Sequence, residues 1–106
     1  MENEYYRGDT IVFPFSCAND NNEPIKFEVG DLIKCGAKRT FKSENYALIK
    51  ELKIETECDE IQIEFTPEET KELQRGAYIL ELELTRNGRV ETIYQDYIDI
   101  VEDVIR

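Results

Sequence analysis

Apolar and polar residues alternate one by one along several short stretches of this chain, the period of two that is typical of β-strands. The clearest stretch covers 78–84 and is followed closely by Asn87-Gly88. That pair suits the positive φ angles of a two-residue type I′ turn. The pattern therefore predicts a β-hairpin that pairs about 78–86 with 89–96. Its alternate leucines are expected to be buried: Leu80, Leu82 and Leu84.

A second alternating stretch leads into a helical turn. Its apolar members are Ile61, Ile63 and Phe65. The hydroxyl of Thr66 is placed to accept from the backbone N–H of Glu69, and Glu69 can reach back to close a capping box. Pro67 supplies the fixed φ that the first helical position requires. We therefore expect a strand here, then a helical turn over about 67–74 that Gly76 ends.

Tyr78 opens the predicted central strand directly after the helix-ending glycine. Its ring is therefore expected to be buried. Its hydroxyl is expected to bond to the backbone, as in a tyrosine corner.

The N-terminal half shows the same alternation less regularly. The first strand has three apolar positions: Ile11, Phe13 and Phe15. Pro14 lies within it and cannot donate to a β-ladder, so this strand is expected at a sheet edge or to change partners there. A loop over 18–24 follows, with Ile25 and Phe27 tucked beneath it. A second strand is predicted over about 31–38.

Two further segments complete the pattern. Over 46–54 the apolar positions fit both the helical and the strand period, and we favour strand because strands recur about every ten residues around it. A last strand is predicted over about 97–102. Together these elements predict an all-β antiparallel sandwich of about seven strands, with one short helical turn near 67–74. Residues 1–106 are expected to form it as a single domain.

The charge narrows the choice of partners. The formal net charge is −11 over 106 residues. Nucleic-acid binding draws its affinity from Lys and Arg that release counterions, so neither nucleic acid nor an anionic membrane surface is expected as a partner. No stretch is long and apolar enough to cross a bilayer, and the first residues lack the pattern of a signal peptide. The chain is expected to stay in the cytoplasm until it is used.

The cysteine pattern does not indicate a disulfide framework or a zinc site. Cys17, Cys35 and Cys58 are odd in number and match no Cys-x-x-Cys spacing. Zinc binding and a disulfide framework are therefore disfavoured, and reduced thiols are expected. Cys35 lies at strand spacing between Ile33 and Ala37, which indicates a small buried hydrophobic residue.

Residue types for catalysis are absent or dispersed. The chain has no His, which removes the usual neutral-pH base, the Ser-His-Asp relay and the commonest zinc ligand. Acidic residues cluster at two places: Glu57, Asp59 and Glu60, and then Glu68, Glu69 and Glu72. Because 24 of the 106 residues are acidic, such clusters arise by chance, and a solvated charged face is favoured over glycosidase chemistry.

Asp20, Asn22 and Glu23 could offer oxygens to calcium. Their spacing matches no EF-hand loop and lacks its closing Glu, so an ordinary turn is favoured. We therefore assign no catalytic, cofactor-binding or metal-ligating residue, and we expect no cofactor.

Two surface motifs have simpler explanations. Arg7-Gly8-Asp9 spells the tripeptide that integrins bind, but its place directly before a strand indicates a turn. Five tyrosines could form a platform on which sugars stack: Tyr5, Tyr6, Tyr46, Tyr94 and Tyr97. They are scattered and Trp is absent, so partial core burial or interface contacts are favoured.

The order of these motifs resembles a known family. The opening Arg7-Gly8-Asp9-Thr10-Ile11, then Glu23-Pro24-Ile25, then Gly30-Asp31-Leu32-Ile33-Lys34, resembles the start of immunoglobulin-like domains in bacteriophage and prophage tail and baseplate proteins, notably the N-terminal domain of baseplate upper proteins. The second half is similar through Thr66-Pro67-Glu68-Glu69-Thr70, Leu73, Gly76-Ala77-Tyr78, Asn87-Gly88 and Thr92, in that order. The similarity covers about residues 5–102.

The resemblance implies an immunoglobulin-like sandwich. It also implies a non-enzymatic structural or connecting module of a phage tail, baseplate or fibre, which docks on other virion subunits. Such a protein is expected in the bacterial cytoplasm during assembly and then in the virion, where self-association is left open. Baseplate upper proteins continue into further domains, whereas this sequence stops at Arg106, a length that fits a small virion component or an accessory protein. The alternative is a small carbohydrate-binding module used in host adsorption.

Overall fold

Strands dominate the structure, a computed structural model that describes residues 4–18, 21–40 and 45–102, without the side chain of Cys17. In chain order the elements are β1 (Glu4–Tyr6), β2 (Ile11–Phe15), β3 (Cys17–Ala18), β4 (Pro24–Ile25), β5 (Leu32–Lys38), β6 (Leu48–Lys53), β7 (Ile61–Phe65), α1 (Pro67–Thr70), β8 (Gly76–Arg86) and β9 (Arg89–Val101).

The strands form two main layers. Five of them make one sheet in the order β1-β9-β8-β5-β6, β2 pairs with β7, and β3 pairs with β4. The predicted fold class, an all-β sandwich with one short helical turn, is confirmed. Two details differ. The described residues contain nine strands where about seven were predicted, because strands of two or three residues, such as β1, β3 and β4, are too short to show an alternation in the sequence. In addition, β1 runs parallel to β9.

The predicted hairpin is present. Arg86 pairs with Arg89 across a turn in which Asn87 has φ 53° and Gly88 has φ 81°. Leu80 and Leu82 are buried as expected, whereas Leu84 is only half-buried at the rim of the core. The separate last strand predicted over 97–102 is wrong, because β9 continues without a break through a bulge opposite Leu82 and Glu83.

The core lies between the two layers. Alternate residues of β2 and β7 point into it: Ile11, Phe13, Phe15, Ile61, Ile63 and Phe65. They pack on the inner face of β5, β8 and β9, which includes Ile33, Cys35, Tyr78, Leu82 and Ile100. The predicted strands over 31–38 and 46–54 are confirmed as β5 and β6, and β2 lies at a sheet edge. Phe27 is buried as expected, but Ile25 is 37% exposed because it pairs with Cys17 in the small surface hairpin.

The helical turn is shorter than the predicted 67–74. Both bonds of the capping box form, since the Thr66 hydroxyl accepts from the Glu69 N–H and the Glu69 carboxylate accepts from the Thr66 N–H. After Thr70 the Leu73 N–H bonds back to the Thr70 carbonyl over three residues, at 3.1 Å, and Leu73 turns into the core. The α-helix therefore ends at Thr70.

Buried Thr70 also fixes the Arg7-Gly8-Asp9 segment as a turn. Its hydroxyl accepts from the Gly8 N–H at 3.1 Å and donates to the Asp9 carbonyl at 2.8 Å. Arg7 forms an ion pair with Glu102 at 3.0 Å. The motif is thus part of the fold, in agreement with its interpretation as a turn.

Candidate functional site

The five-stranded sheet has one face against β2 and β7, and an opposite face that we call the outer face. Residues that pair directly across strands share a face. Gly36 pairs with Ile49 on one side and with Glu81 on the other, and Glu81 pairs with Gln95. These residues therefore form one row across the outer face.

The outer face concentrates the exposed apolar side chains. Nine large hydrophobic residues are exposed in the part of the chain that the structure describes. Register places five of the nine on the outer face: Tyr6, Leu32, Ile49, Val90 and Tyr97. Tyr97 is 60% exposed and Val90 61%. The outer face therefore carries more than half of the exposed large apolar side chains among the described residues, and it is the candidate contact surface.

A polar network lies at the centre of this face. The Tyr46 ring covers Gly36 so closely that a Cβ there would overlap the ring. Its hydroxyl donates to Glu81 Oε1 at 3.0 Å. Glu81 also accepts from Lys38 Nζ at 3.1 Å and from Gln95 Nε2 at 2.5 Å, and it is only 7% exposed. Every oxygen of this buried carboxylate therefore has a partner.

The contacts within this network shift the pKa values of Tyr46 and Glu81. Burial raises the pKa of Tyr46 to about 12, with help from the hydrogen bond to Glu81 and from the charges of Glu81 and Glu83. Burial also acts to raise the pKa of Glu81, but hydrogen bonds from Gln95, Lys38 and Tyr46 together outweigh it, and the pKa is lowered. At neutral pH the phenol therefore stays protonated and the carboxylate stays ionised, so neither group is poised to exchange a proton near neutral pH.

The five tyrosines considered as a sugar platform divide between two faces. Tyr5 packs edge-on against Phe13 at 5.1 Å between ring centroids, and Tyr94 against Phe15 at 5.2 Å, both towards β2. The other three lie on the outer face: Tyr6, Tyr46 and Tyr97. Of these, Tyr46 is half-buried, with Lys34 and Lys38 near its ring.

The second acidic cluster, which consists of Glu68, Glu69 and Glu72, lies on and just after α1. Glu69 and Glu72 line a cleft of about 310 Å³ beside Arg39 and Tyr78. However, Glu69 accepts from Lys50 at 2.7 Å and from its cap residue Thr66, and these bonds lower its pKa. Glu69 is therefore a structural cap and ion-pair partner.

The remaining candidates fall on the surface or in the core. Asn22 and Glu23 are exposed, Asn22 in a turn conformation with φ 64°, and Asp20 lies outside the described residues. Glu57 pairs with Lys26 at 3.6 Å. Among the described residues, no group of three or more His, Cys, Asp or Glu side chains could hold a metal ion.

The structure describes the side chains of two of the three cysteines, for which reduced thiols were predicted. Cys35 is a fully buried free thiol, as predicted, and burial raises its pKa to about 12. Cys58 is a half-buried free thiol. The side chain of Cys17 lies outside the described part.

Sequence reasoning missed the network around Glu81. One signal was present, since a glycine inside a strand often marks the close approach of another group, and Gly36 is such a residue. A second signal was Ile79, an apolar residue on the face of β8 that otherwise carries polar residues such as Glu81.

Within the described residues, no helix is long and apolar enough to span a membrane. Comparison with protein-family models, curated proteins and solved structures finds no match to this chain.

Proposed function

We propose that this protein is a non-enzymatic docking module of a bacteriophage or prophage tail, baseplate or fibre, which binds neighbouring virion subunits through the outer face. The observation that carries the docking role is the concentration of exposed apolar side chains on that face, around a fixed polar centre. The virion setting is supported by the ordered motifs from Thr66 to Thr92, which resemble those of tail and baseplate domains. In a symmetric particle, many such weak contacts act together.

A docking role agrees with the state of the polar groups. Glu81 and Glu69 are both engaged in hydrogen bonds and ion pairs, which leaves neither available as a general acid at neutral pH. Purified protein is expected to show no hydrolase activity. It is also expected to show no affinity for duplex DNA at physiological salt, because a surface of net charge −11 gains nothing from counterion release.

The virion assignment is tested on particles. If the prophage of the source strain is induced, antibody against this domain should decorate the tail or baseplate ends of the released particles in electron micrographs. Unlabelled particles, together with protein found only in free cytosol, would remove the assignment.

The docking face is tested with a matched pair of variants. Tyr97→Ala should reduce incorporation into particles, because it removes an exposed ring from the outer face. Val12→Ala is the control, since Val12 is also exposed but lies on β2, in the other layer. Equal incorporation of both variants would contradict docking through the outer face.

The second candidate is a small carbohydrate-binding module for host adsorption. The observation in its favour is that Tyr6 and Tyr97 are both exposed on the outer face, at 49% and 60%. A sugar ring stacks on such aromatic faces. Binding of the purified domain to host wall glycans, lost in Tyr97→Ala and kept in Val12→Ala, would favour this candidate over virion docking.

A further inference from the structure

Apart from β3 and β4, which have two residues each, four of the described strands have a hydrogen-bonded partner on one side only: β1 and β6 in the five-stranded sheet, and β2 and β7 in the sheet that they form together. They differ in how well they could accept another strand. β1 has three residues, and Pro14 in β2 cannot donate to an added ladder. β7 is acidic, with no Lys or Arg from residue 54 to residue 70, so two copies of it would repel each other. β6 has six residues, no proline, and charges of both signs.

The direction of the backbone groups on β6 follows from the residue after it. The Ile54 N–H donates to the Asp31 carbonyl, and the Ile54 carbonyl accepts from the Gly30 N–H, both at 2.9 Å. Ile54 therefore points both groups towards the β5 side. Groups on an antiparallel strand alternate in direction. The N–H and C=O groups of Ile49, Glu51 and Lys53 accordingly point away from β5, along the open edge.

The side chains of this edge are complementary to a second copy in antiparallel orientation. Glu51 and Lys53 are both exposed, and neither forms an ion pair with another residue in the described ranges. When two β6 strands run antiparallel about a two-fold axis at Leu52, Glu51 of each copy lies directly opposite Lys53 of the other. Opposite charges facing each other across a ladder stabilise the pairing.

We propose that two copies of this chain pair through their β6 edges in this register, so that their five-stranded sheets join into one. Each Glu51 and the opposing Lys53 then exchange both main-chain hydrogen bonds. The next register would place Glu51 directly opposite Glu51 and is disfavoured by charge. This pairing belongs to the isolated protein and does not depend on the virion assignment.

The dimer is expected to be weak and to depend on salt. A six-residue edge buries less surface than a standard stable interface. Two copies of net charge −11 also repel each other at long range. At about 0.15 M salt the Debye length is about 8 Å, which screens this repulsion more than the direct contacts between opposed side chains. Association should therefore be stronger at physiological salt than at low salt.

The test is sedimentation of charge-reversed variants at physiological salt. Glu51→Lys and Lys53→Glu should each weaken self-association at least about tenfold, because both variants place like charges opposite each other. A mixture of the two variants should recover a heterodimer, since every opposed pair is then complementary. Glu91→Lys and Arg89→Glu are the controls, because they change the net charge by the same amounts but lie on β9, which β8 and β5 separate from β6. They should leave self-association unchanged, and they should not form a heterodimer.

A backbone variant tests the edge itself. Glu51→Pro removes an N–H that points away from β5, so the fold should be retained, as a thermal melt can check, while the dimer is lost. Wild-type protein that stays monomeric up to about 1 mM would overturn the proposal. Folded Glu51→Pro that still dimerises, or charge variants that associate like wild type, would overturn it as well.

Discussion

Tyr78 is fixed at both ends of its side chain. Its ring is 2% exposed, and its hydroxyl donates to the Gln74 carbonyl at 2.6 Å. The Arg39 guanidinium lies 4.8 Å from the ring centroid. The bond to Gln74 satisfies a carbonyl in the segment between the helical turn and β8, so one side chain joins the core to the chain reversal that precedes the central strand.

Substitution of Tyr78 should separate these two contributions. Tyr78→Phe keeps the ring and leaves the Gln74 carbonyl without its donor, and should lower the free energy of unfolding by about 1 kcal/mol. Tyr78→Ala also leaves a cavity and should lower it by about 3 kcal/mol or more. Urea unfolding of both variants measures the difference. A Phe variant as stable as wild type would show that the hydroxyl bond adds nothing to stability.

Single residues also show where sequence reasoning succeeds and where it ends. The burial of Tyr78 and Cys35 was predictable, because each lies within a local alternation that sets its face. The position of Tyr46 on Gly36 was not, since it depends on the pairing of β5 with β6 and on the loop between them. Contacts between residues distant along the chain leave little local pattern.

Whole elements also divide into those with a local sequence signal and those that depend on contacts between distant residues. The capping box, β7 and the hairpin all have their signals within a few residues, and the structure confirms them. The parallel pairing of β1 with the far end of β9 joins residues about 95 positions apart and has no local signal. The unbroken length of β9 was missed because its bulge changes which residues face the core.

The β8–β9 turn offers a clean test of backbone conformation. Gly88 has φ 81°, and a Cβ built there meets no other atom within 4 Å. Gly88→Val should therefore cost about 1 kcal/mol or more through the positive φ alone, because a β-branched residue resists it. Asn87→Gly, at φ 53°, is the matched control and should change stability little. An unchanged melting curve for Gly88→Val would mean that the turn can adopt another type at no cost.

At the scale of the whole molecule, acid stability depends on a few fixed carboxylates set against a large negative surface. Asp31 is 2% exposed, and its carboxylate accepts hydrogen bonds from Arg86 Nε at 2.8 Å and from Arg86 Nη2 at 2.6 Å. These bonds join the end of β8 to the start of β5. The Arg86 hydrogen bond outweighs burial and lowers the pKa of Asp31. The pKa values of Glu69 and Glu81 are lowered as well. These three groups therefore favour the folded state when ionised.

Two electrostatic effects of opposite sign then act as the pH falls. Protonation of surface carboxylates reduces the repulsion that comes with a net charge of −11, which favours folding between neutral pH and about 5. Stability from the three lowered pKa values is complete above the ordinary carboxyl range near 4, and it is lost as the pH falls below that range through their folded-state pKa values. Stability should thus change little down to about pH 5 and fall steeply below about 4.

Asp31→Asn removes the most buried of these three carboxylates. At pH 7 the variant loses an ion pair and should be less stable than wild type by roughly 2 kcal/mol, a value reduced from that of a fully buried pair because the Arg86 side chain is 30% exposed. Wild-type Asp31 becomes protonated as the pH falls through its lowered pKa, so the difference should shrink in acid. Glu64→Gln, on the exposed side of β7, is the control and should follow wild type throughout. Urea unfolding across the pH series measures this, and a difference that stays constant from pH 7 to pH 2 would show that Asp31 acts through packing instead of charge.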